Sequence, residues 1–204
     1  MTIIAAADGS ALGNPGPAGW AWYVDEDCWA AGGWPESTNN RGELTAVLEL
    51  LRATAGTGED LLIQADSQYV INSLTKWRHG WKKRGWRKAD GKPVLNDDLM
   101  KALDAALAGR TVRFEWVRGH VGHPLNEAAD SRARAAATAY QQGAAVPAGP
   151  GWPGAGGDAG GARGSVTAGA EGSESSATSG DAEVVPGATA ARRARLRQDD
   201  GMLF

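Results

Sequence analysis

Gly19-Trp20-Ala21-Trp22-Tyr23-Val24, then Asp25-Glu26-Asp27, then Cys28-Trp29-Ala30-Ala31-Gly32-Gly33-Trp34: this stretch decides the fold class. Two runs rich in aromatic and small apolar residues are parted by three acids, which reads as two strands and a turn. Upstream, residues 3–8 are apolar until Asp8 and read as a buried strand. Residues 9–19 carry Gly-Asn-Pro-Gly-Pro punctuation and read as a loop. Downstream the period changes. Leu44, Val47, Leu48 and Leu51 fall at i, i+3, i+4 and i+7, which predicts an amphipathic helix over 41–54. Residues 61–66 read as a fourth strand, 68–78 as a helix, and Asn96 to Leu107 as another. Residues 111–117 alternate as a fifth strand, and 125–140 form an Ala-rich last helix. The order β-β-β-α-β-α-α-β-α predicts an α/β fold. Three antiparallel strands followed by βα units make a five-stranded mixed sheet with helices on both faces.

Composition changes near residue 141. The last 64 of the 204 residues hold 14 Gly, 14 Ala and 4 Pro but only seven Val, Leu, Ile or Phe. Such a segment buries too little apolar surface to offset its ordering entropy, so the expected division is a folded α/β domain over 1–140 and a disordered tail over 141–204. Two islands close the tail: basic Ala191-Arg192-Arg193-Ala194-Arg195-Leu196-Arg197, then Gln198-Asp199-Asp200-Gly201-Met202-Leu203-Phe204. The single cysteine, Cys28, excludes a disulfide framework and a Cys-based zinc site. No long apolar run predicts a membrane span, and the first residues lack a basic signal region, so the expected compartment is the cytoplasm.

The net charge of −3 conceals two regions. Residues 76–92 hold eight Lys/Arg against one acid, Asp90. The rest of residues 1–140 holds eight basic and sixteen acidic residues, so a compact cationic patch sits on an acidic body.

Four acids stand where folding alone does not favour them. Asp8 and Asp66 end apolar strands, and ligand sites of open α/β sheets gather at the carboxyl ends of strands. Glu43 falls in the first turn of its helix as read here, and Asp130 in the Ala-rich last helix. Singly, each has a bland reading: a turn former or cap for Asp8 and Asp66, a favourable dipole contact for Glu43, a solvated residue for Asp130. Together they would repel one another unless a divalent cation neutralised them. Oxygen ligands without His or Cys suit magnesium or manganese. Two such ions about 4 Å apart are the usual machinery for phosphodiester hydrolysis.

The chain carries, in order, Asp8-Gly9-Ser10 with Gly13-Asn14-Pro15-Gly16; Thr38-Asn39-Asn40-Arg41-Gly42-Glu43-Leu44; Asp66-Ser67-Gln68-Tyr69-Val70; Trp81-Lys82-Lys83-Arg84-Gly85-Trp86; and Trp116-Val117-Arg118-Gly119-His120-Val121-Gly122-His123-Pro124-Leu125-Asn126-Glu127, ending at Asp130. These motifs resemble the bacterial ribonuclease HI family over roughly residues 1–138. The resemblance implies the ribonuclease H-like fold. It also implies endonucleolytic hydrolysis of the RNA strand of RNA–DNA hybrids, leaving 5′-phosphate and 3′-hydroxyl ends. Asp8, Glu43, Asp66 and Asp130 would bind two Mg2+ ions, with Asp8 shared between them and Mn2+ a possible substitute. His120 would be the mobile histidine that helps product leave or shuttles a proton, and an imidazole pKa near 6.5 suits that work. His123 reads as a structural residue of the loop.

The basic segment interleaves Trp77, Trp81 and Trp86 with Lys82, Lys83, Arg84 and neighbouring cations. Cations meet phosphates and tryptophans pack on sugars, so the resemblance makes this the protrusion that grips the hybrid. A solvated helix face with part-buried aromatics is the plainer reading of Trp77 and Trp86. By motif position Thr38 and Asn96, with Arg41 beside them, form a DNA-phosphate pocket. Asn39 and Asn40 face the minor groove, while Asn14 and Gln68 contact the RNA side. Asn39-Asn40 is equally a helix-capping pair. A monomer is expected. The last residues resemble the acidic–apolar tips by which single-stranded DNA-binding proteins dock partners, which would tether the chain to a replication protein. Two other functions compete: a catalytically inactive hybrid-binding module, and another nuclease of the same fold.

Overall fold

The computed structural model describes residues 1–119 and 122–153. His120 and the two islands over 191–204 lie outside the described residues. Five strands form one sheet: β1 (Thr2–Ala11), β2 (Gly16–Asp25), β3 (Cys28–Ser37), β4 (Asp60–Ala65) and β5 (Val112–Trp116). Their spatial order is β3-β2-β1-β4-β5. The first three strands pair antiparallel, and β4 and β5 join in parallel, as the sequence predicts.

Side chains alternate across the sheet and give each face its own core. On one face Ala5, Ala7 and Trp22 pack with Leu44, Val47, Leu48 and Leu51 of α1 (Asn39–Ala53). On the other, Ala6 and Tyr23 meet Ala129, and Ala21 and Ala31 meet Ala133 and Ala136, all from α5 (Pro124–Gln142). Alanine against alanine lets α5 lie close to the sheet. α2 (Gln68–Asn72) runs through a π turn (Ser73–Trp77) into α3 (Arg78–Lys83), and α4 (Asp97–Ala106) follows the basic segment.

Three expectations need correction. First, residues 9–11 belong to β1 and 16–18 to β2: Gly9 pairs with Trp20, Ser10 with Gly19 and Ala11 with Ala18. The Gly/Pro punctuation shortens to a tight connection because the cross-strand ladder holds its flanks. Second, the helix read over 68–78 is interrupted by the π turn and extends to Lys83.

Third, residues 141–153 are ordered, so the domain extends past the expected boundary at 140. Helix α5 ends on Gly143 in the left-handed region (φ 64°), which lets Ala144 N donate to Ala139 O at 2.8 Å. The chain then returns along the outer edge of β3. Ala31 N donates to Ala148 O (3.0 Å) and Gly151 N to Trp29 O (2.9 Å). Val146 packs on the α5 side of the sheet, while Trp152 reaches the other side and sits 6.4 Å from Trp22. Composition underrated this stretch because two well-placed apolar side chains and an unpaired strand edge suffice to order it.

Candidate active site

Asp8 lies within β1, and Gly9 after it faces α1. A Cβ at Gly9 would collide with the backbone N of Glu43, so the glycine is what lets strand and helix backbones meet there. That approach sets Glu43 beside Asp8. Thr38 caps α1, its Oγ1 accepting from Arg41 N at 3.3 Å, so the helix begins at Asn39. Glu43 is therefore in the second turn, and the dipole reading of its position is corrected: it is held by the sheet. Asp66 directly follows β4. Its backbone carbonyl accepts from the Trp116 indole N–H at 2.9 Å. A Cβ at Gly119 would strike Asp66 Oδ2, so that glycine makes room for the carboxylate.

Asp8, Glu43 and Asp66 each bring a carboxylate oxygen to within 4.8 Å of the others. They line one cleft of about 220 Å3 with Asn39, Asp130 and Arg134. The structure thus brings together all four acids singled out in the sequence. Asp8 and Glu43 are only 5% and 8% exposed. Burial, then the charges of Asp66 and Glu43, push the Asp8 carboxyl up to about 8, against the pull of the Gly9 N–H bonded to it at 2.7 Å. Burial also pushes Glu43 up to about 7. The Ser67 hydroxyl and the Asn39 amide oppose that shift, and the Asp66 charge adds to it.

This donor set fits a divalent cation. It consists of hard oxygens, it carries charge that burial penalises, and Glu43 Oε2 is buried without a hydrogen-bond partner. Glu43 Oε1 accepts from Asn39 Nδ2 at 2.6 Å, which orients the carboxylate. Asn39, expected at the minor groove or as a cap, lines the carboxylate cleft. Arg134 was missed by the sequence reading. Its signal was present: it stands one helical turn after Asp130, so both side chains share a face of α5.

The other expected contact residues fall into groups. Arg41 Nη1 donates to Asn96 Oδ1 at 3.4 Å, and its guanidinium pairs with both oxygens of Asp98 at 3.1 and 2.6 Å. Thr38, Arg41 and Asn96 are thus assembled through Arg41. Asn14 Oδ1 accepts from Asn39 N at 3.3 Å, and Asn40 is exposed. Gln68 is exposed at the start of α2. Of the three tryptophans in the basic segment, Trp77 is 42% exposed and Trp86 packs part-buried on the core. Trp81 is the correction: at 9% exposure it belongs to the core, because the helix turns it inward while Trp77, 5.7 Å away, faces out. Lys82, Lys83 and Arg84 are exposed, and Lys82 pairs with Asp104 at 2.6 Å.

Two carboxylates on neighbouring parallel strands, Asp8 within β1 and Asp66 just past β4, joined by Glu43 of α1 and Asp130 of α5 with an arginine on the same cleft, define the class of metal-dependent nucleases built on a mixed α/β sheet. The comparisons narrow the class. A family model described as RNase H matches residues 2–138. The chain is similar to the ribonuclease H of Tropheryma whipplei (strain Twist), 60% identical over 149 residues, covering 73% of this chain and 92% of that one. It is 50% identical over 146 residues to the ribonuclease H of Anaeromyxobacter dehalogenans, covering 66% and 79%. Among solved structures it is similar to LC9-RNase H1, a type 1 RNase H with the type 2 active-site motif: TM-score 0.58, 30% identity, 74% and 77% covered. The chain belongs to the ribonuclease H family, and its activity is that of a nuclease of this family.

Proposed function

We propose that the protein is an endonuclease that hydrolyses the RNA strand of RNA–DNA hybrids with two magnesium ions, leaving 5′-phosphate and 3′-hydroxyl ends. The observation that carries the reading is the meeting of Asp8, Glu43 and Asp66 within 4.8 Å, with Asp130 on the same cleft. Family membership supports the hybrid as substrate. Bound divalent cations supply a nucleophilic water near neutral pH and withdraw charge from the phosphate.

The chain's own residues do the rest. Asp8, Glu43, Asp66 and Asp130 hold the cations, and Asn39 keeps Glu43 in one orientation through its 2.6 Å bond. Arg134, the cation on the cleft, attracts a phosphate oxygen and sets the phosphorus over the carboxylates. Water adds at phosphorus, the bond to the 3′ oxygen breaks, and that oxygen departs with a proton. His120 is the group assigned to move a proton or release product. Thr38, Arg41 and Asn96 grip a phosphate of the DNA strand. Asn14, Asn40 and Gln68 meet sugars and base edges, and Lys82, Lys83, Arg84 and Trp77 hold the duplex backbone.

A labelled RNA–DNA duplex with and without magnesium, beside duplex RNA and duplex DNA, tests this. The expected result is magnesium-dependent cutting of RNA in the hybrid alone. Asp8→Asn abolishes cutting and retains hybrid binding. Full activity of Asp8→Asn refutes the metal assignment, and binding without any cutting favours the non-catalytic module.

A further inference from the structure

A second cleft, of about 330 Å3, opens beside the carboxylates and is lined by Gln68, Ile71, Asn72, Lys76 and Trp116. Such a volume suits a ligand the size of one nucleotide. Trp116 is 50% exposed, although folding normally hides most of an indole. It is also held in place, because its N–H is committed to the carbonyl of Asp66 at 2.9 Å. A fixed, half-open aromatic surface is a stacking platform that accepts any base. Gln68 and Asn72 add carboxamide donors and acceptors for a base edge or a 2′-hydroxyl, Lys76 adds a cation for a phosphate, and Ile71 an apolar wall. Trp116 on its wall bonds the Asp66 carbonyl, and Asp66 lines the catalytic cleft, so the two clefts are neighbours.

A base inside a duplex hides both faces against its neighbours, so away from a duplex end an indole can stack only on an unpaired one. We propose that this cleft binds an unpaired nucleotide of the RNA strand where that strand leaves the hybrid next to the cut. The inference rests on the hybrid-cleaving reading above. It gives the enzyme a preference for hybrid that adjoins single-stranded RNA over hybrid with flush ends.

The test uses the full-length protein and one short hybrid in three forms: flush, with a single-stranded RNA extension at the RNA 5′ end, and with one at the 3′ end. An extension on one side is expected to lower KM by about tenfold, within the range that base–aromatic stacking spans. Asn72→Ala is expected to remove most of that gain, and Asn72→Glu to reverse it by setting a charge against the phosphate. Both are expected to leave KM and kcat on the flush hybrid unchanged. Equal KM for all three forms overturns the proposal, as does equal tightening from both sides, since one cleft serves one side. A flush hybrid left uncut overturns the parent reading instead. Asn72 variants that weaken flush and extended hybrids alike overturn the proposal by assigning the residue to the duplex grip.

Discussion

Asp8 is where burial works against charge. Its carboxyl titrates at about 8 instead of 3.8, and that of Glu43 at about 7 instead of 4.5. Between the ordinary and the raised values the folded chain keeps protons that the unfolded chain has lost. Metal-free stability therefore falls as pH rises from about 4 through about 8. Cations that require the ionised carboxylates stabilise the fold more at pH 8 than at pH 6. Asp8→Asn removes the penalty. In chelator at pH 8 it is expected to raise Tm by roughly 3–8 °C, the effect of about 1–2 kcal/mol in a domain of this size. At pH 5 the two proteins should melt nearly together. A lower Tm for the variant at pH 8 would show that the Asp8 carboxylate is not strained by its surroundings.

All four acids could be found in the sequence, Asp8 and Asp66 because an ionisable group after an apolar run is conspicuous, Glu43 and Asp130 only through the motifs that hold them. What could not be found is how neighbours share them out. Asn39 bonds Glu43, and this depends on the helix starting one residue after Thr38, a boundary that periodicity does not fix.

At the scale of elements, the least legible piece is the return segment over 144–152. The reading of Gly/Ala/Pro composition as structureless fails there because order comes from tertiary partners: the free edge of β3, the Ala21/Ala31 surface and the Trp22 ring. Trp152, the one aromatic residue of residues 141–203, was the available signal. The segment covers an edge that could otherwise pair with another chain. Its two backbone bonds and two apolar anchors contribute stability away from the carboxylates. Truncation after Gln142 is expected to lower Tm and promote self-association, with kcat retained. Trp152→Ala, which trims a part-buried ring, should cost about 1–2 kcal/mol, less than the loss of a fully buried tryptophan. Thermal unfolding and light scattering check both, and a truncated chain that melts and scatters like the parent would make the segment a passive passenger.

For the molecule as a whole, charge is divided: an acidic body holds the reactive carboxylates, and one segment, 76–92, carries the surplus of cations. The sequence shows the surplus, and the structure shows that its members are unequal. Asp104 is shared by Arg78 at 2.7 Å and Lys82 at 2.6 Å, so those cations are partly neutralised before any ligand arrives. Lys83 and Arg84 are exposed and form no ion pair among the described residues. A cation that displaces counterions from the hybrid adds about one to the slope of log affinity against log salt. Lys83→Ala with Arg84→Ala is therefore expected to flatten the slope by about two, and Lys82→Ala by clearly less than one. The loss should appear in KM and leave kcat near that of the parent, since these side chains hold backbone remote from the reacting phosphate. Binding titrations from 50 to 200 mM salt measure the slope directly. If Lys82→Ala flattens it by about one as well, the Asp104 pair opens on contact with nucleic acid and all three lysine and arginine heads act alike; if neither variant changes it, the grip lies outside these three residues.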